Sequence, residues 1–435
     1  MLAAERSLKP LLEWAEHVKY EDFPADVTAH ARVVLMDQLA ALWVGRHEPE
    51  VVGIAQWAQH RGTIADPLWL GLVLGVSAVA EELDEGNRES MGHPGSHVIP
   101  IILATLVERP TTTIHEALTA LIAGYEVAAR IASAGAPRPG SHPHGTWGTI
   151  GAAVARALLT GSQGNLQAAV FLAAGTGLAT AFSAPLEGRT VRNLYAGLSA
   201  FLGLLACEWK DDVTGIFSPT ETLFSNWNDT HIADGLGTQY AITRNYLKTL
   251  AACRYVHGVV EAVEQIDQEH RFDRHDVAGV TVETYAPAWM LSGVPFNTLS
   301  SKFSIPYATL CAVDHRAHDI EAFHEPLELS SADRVWLKRV TVRESKAMTQ
   351  QLPHARAARV TIRFVNSSER TAEVSLPCGE WDRPHSQEVM AQKWSTLLRD
   401  YPGVLPSDPA KLTTADLRRF VRIFVQDLLT ASHVD

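Results

Sequence analysis

A chain of 435 residues, 46% hydrophobic and 20% charged, has room for roughly two or three domains of ~150 residues and a large core. Its formal net charge of −12, with no extended Lys/Arg run, excludes nucleic acid as the ordinary partner, because a phosphate-binding face needs a basic patch. Cys207, Cys253, Cys311 and Cys378 stand far apart without a CxxC pair, which excludes a zinc framework or disulfide scaffold and suits a reducing cytoplasm.

The N-terminus, Met1 to Arg6, is charged early and has no signal-peptide apolar stretch. Pro24 then opens a run with Val27, Ala31, Val34, Leu35, Leu39 and Leu42 apolar, closed by Gly45; that spacing puts one stripe on a helix. Asp66-Pro67 starts a second helix to about Leu83. Its run from Leu68 to Ala80 is too short to span a bilayer, so no membrane partner is expected. Thr113-Ile114-His115-Glu116 has the form of a capping box, opening a helix to about Ala134. Further helices are expected at about 98–108, 148–160, 164–176 and 190–209. Many are Ala- and Gly-rich, which allows close packing.

Near residue 245 the pattern changes. Val277–Thr284, Lys338–Val342, Ala358–Phe364 and Ala372–Leu376 alternate as half-buried strands, and Asn366-Ser367-Ser368 suits a hairpin turn between the last two. Helices return at about 386–400 and 415–430. The expected architecture is mainly α with a smaller α+β domain: residues 1–245 and 380–435 form the helical domain, and residues 246–379 the α+β domain.

Five segments gather polar residues where loops or helix starts are expected. The first runs from Leu83-Asp84-Glu85-Gly86-Asn87-Arg88 to Gly92-His93-Pro94-Gly95-Ser96-His97. It presents Asp84 and His93 between two apolar helices, or is a solvated turn. The second, Gly140-Ser141-His142-Pro143-His144-Gly145-Thr146-Trp147-Gly148, precedes a helix whose free N–H groups can hold a carboxylate. His142 there is an acid or base near neutral pH, or merely a cap. In the third, Arg192 begins a helix and can grip a carboxylate with its fork, or face solvent. In the fourth, Lys248 precedes Cys253-Arg254-Tyr255-Val256-His257 among apolar residues; desolvation would lower its pKa and make it a proton carrier, unless it snorkels outward. Cys253 suits a small buried hydrophobe. In the fifth, Tyr307 donates a hydrogen bond to a ligand or sits in the core. His93, His97, His142, His144 and Asp84 could be drawn as a metal site, but no HExxH or Cys/His pair supports one, so no metal is expected. No P-loop or Rossmann fingerprint is present.

Taken in order, these segments resemble the MmgE/PrpD family along nearly the whole chain. The matching stretches are Leu35-Met36-Asp37-Gln38-Leu39-Ala40-Ala41, Gly92-His93-Pro94-Gly95, Gly124-Tyr125-Glu126-Val127-Ala128 and His142-Pro143-x-Gly145-Thr146-x-Gly148-Thr149. Further along come Lys248 with Cys253-Arg254-Tyr255-x-His257, Phe303-Ser304-x-Pro306-Tyr307, and Gly379 with Pro384 and Lys393-Trp394. Members include 2-methylcitrate dehydratase, cis-aconitate decarboxylase and iminodisuccinate epimerase. The resemblance implies a homodimer, no metal or organic cofactor, and an active site between the domains. It implies that Asp84, His93, His142, Lys248, His257 and Tyr307 line that site. Two departures stand out. The family's acidic loop, roughly Leu-Asp-Phe-Asp-Asp-Thr, reads Leu83-Asp84-Glu85-Gly86-Asn87-Arg88 here. The family's Lys before a Leu-His-x-Gly helix is Arg192, with Tyr195 in the His place.

The family's shared chemistry is proton transfer next to a carboxylate on a small anionic substrate. On that basis His142 or Lys248 moves the proton, with Asp84 and His93 also in the catalytic group. Arg192, Arg88 and His257 hold carboxylates, and Tyr307 donates a hydrogen bond. The expected activity is a dehydratase or decarboxylase acting on a di- or tricarboxylate. An epimerase is the alternative, and a catalytically inactive binding protein stands behind both.

Overall fold

The computed structural model describes residues 2–324 and 327–431 of the chain. The helical part is built from α1 (Ala25–Gly45), α2 (Pro67–Ala80), α3 (Pro94–Glu108), α4 (Ile114–Ser133), α5 (Gly148–Thr160), α6 (Leu166–Gly175) and α7 (Val191–Trp209). Local chemistry sets their ends. Asp66 accepts the Leu68 N–H at 2.9 Å to cap α2, and Thr113 and Glu116 exchange capping hydrogen bonds at α4. Small residues then set their spacing. A Cβ on Gly75 of α2 would sit 2.6 Å from the Gly197 Cα of α7, so these two helices touch backbone to backbone.

The smaller part pairs a four-stranded sheet with helices. Its strands are β1 (Val277–Thr284), β2 (Val340–Glu344), β3 (Ala358–Phe364) and β4 (Glu369–Val374), ordered β2-β1-β3-β4. β2 runs parallel to β1, and the other pairs are antiparallel, with Val282 opposite Val360 and Val360 opposite Ala372. Two strands are displaced from expectation. Lys338 caps the helix Ser331–Leu337, so β2 begins at Val340. The turn at Asn366–Ser368, with Ser367 at φ 67°, lets β4 start at Glu369.

Pattern reading passed over the helices Lys9–His17 and Pro49–Arg61, and more consequentially α8 (Arg254–Glu269). Val256, Val259, Val260, Val263 and Ile266 form a buried stripe on α8 that packs on β3, β4 and α9 (Ile305–Val313). After the sheet the chain returns to the first helices: α10 (Gln387–Leu397) lies on α1, and α11 (Thr414–Ala431) lies on α3 and Pro49–Arg61. The join is polar. Lys393 Nζ and Trp394 Nε1 both donate to Asp37 Oδ1, at 2.6 and 2.9 Å. Among the described residues no helix is long and apolar enough to cross a membrane.

Candidate active site

The α2 helix stops at Ala80, and the turn beyond it carries four carboxylates, Glu81, Glu82, Asp84 and Glu85, all buried. Buried carboxylates need partners, and each finds its own. Glu81 meets Lys302 Nζ at 2.5 Å and His324 Nδ1 at 2.7 Å. Glu82, held at φ 54°, a region uncommon for a residue with a side chain, pairs with Arg192 and with Lys248 Nζ at 3.3 Å. Asp84 takes Lys248 Nζ at 3.0 Å, Ser96 Oγ at 2.9 Å and His93 Nδ1 at 2.9 Å. Glu85 accepts from Gly95 N at 2.7 Å, Tyr125 Oη at 2.8 Å and Asn245 Nδ2 at 3.3 Å. Burial still pushes its pKa up to about 7.

A two-residue ladder brings Lys248 to this turn. Gly86–Asn87 pairs antiparallel with Asn245–Tyr246, and a Cβ at Gly86 would collide with the Tyr246 ring, so glycine is required for the approach. Residue 248 then lands beside residues 82 and 84. Lys248 corrects one expectation. It is fully buried, and burial alone would lower its pKa, but Asp84 and Glu82 outweigh that and raise it. The two carboxylates favour its charged form.

The histidines differ in which nitrogen is available. His93 Nδ1 faces two acceptors, the Glu85 carbonyl at 2.7 Å and Asp84 Oδ2. Nδ1 therefore carries a hydrogen, and Nε2 is the nitrogen open to exchange. His142 is the reverse. The His144 backbone N–H donates to its Nδ1 at 3.2 Å, which assigns its proton to Nε2. Burial, then Arg192 and His93, hold the His142 pKa well below the ordinary histidine value, so the ring is neutral.

Both rings line a cavity of about 250 Å³ between the helical part and the sheet part. Its lining includes Glu82, His93, Arg138, His142, Phe182 and Arg192 together with Tyr246, Cys253, Arg254, Tyr255, Phe303 and Arg356. Arg192 is anchored by the Val79 carbonyl at 2.7 Å and by Asn193 Oδ1 at 3.0 Å. Tyr195 accepts the Ala181 N–H at 3.3 Å, with its ring 6.2 Å from that of His142. Asp84 and Lys248 do not line it.

Three expected site residues lie elsewhere. Tyr307 does not reach the cavity, because its hydroxyl donates to the Ala322 carbonyl at 2.7 Å and its ring packs edge-on against Phe323. His257 is not a carboxylate-holding cation. It is buried between Arg254 Nη1 and the Ala252 carbonyl, both at 3.2 Å, and burial and Arg254 depress its pKa well below the ordinary value. Its effect is to orient Arg254. Arg88 pairs with Asp382 at 3.1 Å and faces a neighbouring cavity of about 420 Å³, not the one His93 lines.

Sequence reading missed Glu82, Arg254 and Arg356, and weighed His144 only as a cap or a metal ligand. Arg254 sits inside a quoted motif and was legible there. Arg356 has no local signal. His144 is fully buried, with its ring 4.7 Å from His142, 4.9 Å from His93 and 5.1 Å from His97. Asp84, His93 and His144 also bring ligand atoms within 4.8 Å of one another, as do Glu48, Glu81 and His324. At the first group a divalent ion would meet Lys248 on the same carboxylate and Arg192 close by. That charge balance does not suit a metal.

Comparison with known proteins agrees with the order of the motifs. The MmgE/PrpD N-terminal domain matches residues 9–221 and the MmgE/PrpD C-terminal domain residues 250–414. A cis-aconitate decarboxylase of Aspergillus terreus (strain NIH 2624 / FGSC A1156) is 24% identical over 434 residues, covering 89% of this chain and 88% of its own. A cis-aconitate decarboxylase-like protein, oryM, of Aspergillus oryzae (strain ATCC 42149 / RIB 40) is 24% identical over 444 residues, covering 89% of each.

Proposed function

Because the chain belongs to the MmgE/PrpD family, we propose that it is a lyase, a decarboxylase or dehydratase of a small di- or tricarboxylate. The observation that carries this reading is the pair of histidines, His93 and His142, lining one arginine-rich cavity with complementary ring nitrogens. Carbanion character next to a carboxylate is accessible only where fixed positive charge meets it, and Arg192, Arg254 and Arg356 supply that charge. In a dehydration, His93 Nε2 takes the proton, the C–H pair forms the double bond, and His93 passes that proton to the departing hydroxide, which leaves as water while the His142 Nε2–H steadies it with a hydrogen bond. In a decarboxylation the C–C bond breaks, CO₂ leaves, and the pair left on carbon takes a proton from a histidine. Asp84 orients His93, and Lys248 keeps Asp84 ionised.

An epimerase would need a further proton carrier beside the histidines. The thiol and phenols of the lining suit that role poorly: burial pushes Cys253 up to about 12 and raises Tyr246 and Tyr255 above the ordinary tyrosine value. Proton NMR in D₂O with cis-aconitate, citrate, 2-methylcitrate and iminodisuccinate tests the proposal. A new alkene signal, or loss of a carboxylate with deuterium at the adjacent carbon, is expected. Deuterium entering a stereocentre without net product would replace it with the epimerase reading.

A further inference from the structure

One buried arginine of the cavity is left uncompensated; Arg138 also lacks a carboxylate but is exposed and donates to the Thr220 and Glu221 carbonyls. Arg192 has Glu82, Arg254 has Glu380 at 3.0 Å, and Arg88 has Asp382. Arg356 is only 6% exposed, its Nη1 is buried without a hydrogen-bond partner, and among the described residues no carboxylate is ion-paired with it. Its guanidinium lies over the Tyr246 and Tyr255 rings, at 5.3 and 5.7 Å from their centroids. The rings hold the cation by their faces and leave its N–H edge free. Arg356 lines both the histidine cavity and the neighbouring one.

A buried charge without a partner is costly to the fold. The buried carboxylate of Glu380 ion-pairs with Arg254 at 3.0 Å and with Arg88 at 3.7 Å, and not with Arg356. We propose that Arg356 is the subsite for a second carboxylate of the substrate, held by its fork while the reacting carbon lies at His93 and His142. This rests on the reading of the cavity as the substrate site and narrows it. The ligand carries at least two carboxylates, and a monocarboxylate leaves Arg356 unpaired and binds poorly for that reason.

The test uses ligands that cannot react. Thermal unfolding of the full chain is followed against increasing tricarballylate (a saturated tricarboxylate) and, separately, butyrate. A ligand that binds only the folded state raises Tm with its concentration. Tricarballylate should stabilise the wild type, and R356Q should need at least ~10-fold more for the same shift, the scale of a lost hydrogen bond to a charged group. Butyrate should affect the two proteins alike. R356Q loses the two ring contacts, so each ligand-induced shift is read from that variant's own ligand-free Tm. If it does not fold, R356K decides: it keeps the charge, loses the fork, and should still respond more weakly than the wild type. Equal responses of wild type and variants to tricarballylate, or no stabilisation of the wild type, would overturn the subsite. Deuterium exchange by the wild type is measured separately. The chemistry can therefore fail while Arg356 still binds, and Arg356 can fail while exchange persists.

Discussion

Two buried ion clusters leave the same turn after α2 and face opposite ways. In front, Glu82 and Asp84 meet Lys248, Arg192 and His93; behind, Glu81 and Glu48 meet Lys302 and His324. The residue types are nearly the same, but the supply of permanent cations is not. In front, two carboxylates face two basic side chains, Lys248 and Arg192. Behind, one lysine serves two carboxylates. Burial and the neighbouring Glu81 therefore push Glu48 up to about 8, while Lys302 and His324 help to hold Glu81 at about 2. The front cluster has a lysine or arginine for each carboxylate, and the rear cluster does not.

Removing a lysine is the strongest way to break this comparison. Lys248→Met strands two buried carboxylates and should cost roughly 3–5 kcal/mol in urea unfolding, with proton exchange lost as well. Lys302→Met should cost a similar roughly 3–5 kcal/mol yet leave exchange per folded molecule intact. If exchange vanishes, the rear cluster belongs to the chemistry. His93→Gln and His142→Gln should each lower kcat at least ~100-fold with Tm near that of the wild type; near-normal turnover in both would remove the front cluster from catalysis. The smallest effect is a pH dependence. Glu48 is raised from its ordinary 4.5 to about 8, so the stability from its bound proton is complete below 4.5 and is lost as pH rises through 8. Glu48→Gln, which mimics the protonated form, should flatten Tm against pH over that window and exceed the wild type above it. Parallel curves would contradict the assignment.

The legible parts of the site were those with local signatures. His93 and His142 stand in Gly/Pro-rich segments at helix starts, and both reach the cavity. Lys248 was visible as a cation among apolar residues, but its pKa direction was not, because that depends on Glu82 and Asp84, 166 and 164 residues away in sequence. Tyr307 and His257 sit in quoted motifs, yet their polar atoms bond the Ala322 carbonyl and Arg254. A motif shared for packing reads the same as one shared for chemistry.

By itself the sequence determined what repeats at short range: the apolar stripes of α1 to α7, the capping box at Thr113, the alternation of β1 and β3, and the ordered motifs that carry the family. Periodicity and capping are properties of a few neighbouring residues. Only the tertiary structure decided which charges are matched. It brought Lys248 to Asp84 through the Gly86–Tyr246 ladder, committed Glu380 to Arg254, and left Arg356 over two tyrosines without a carboxylate. Electrostatic pairing depends on distance in space and on burial, and neither is written in the order of residues.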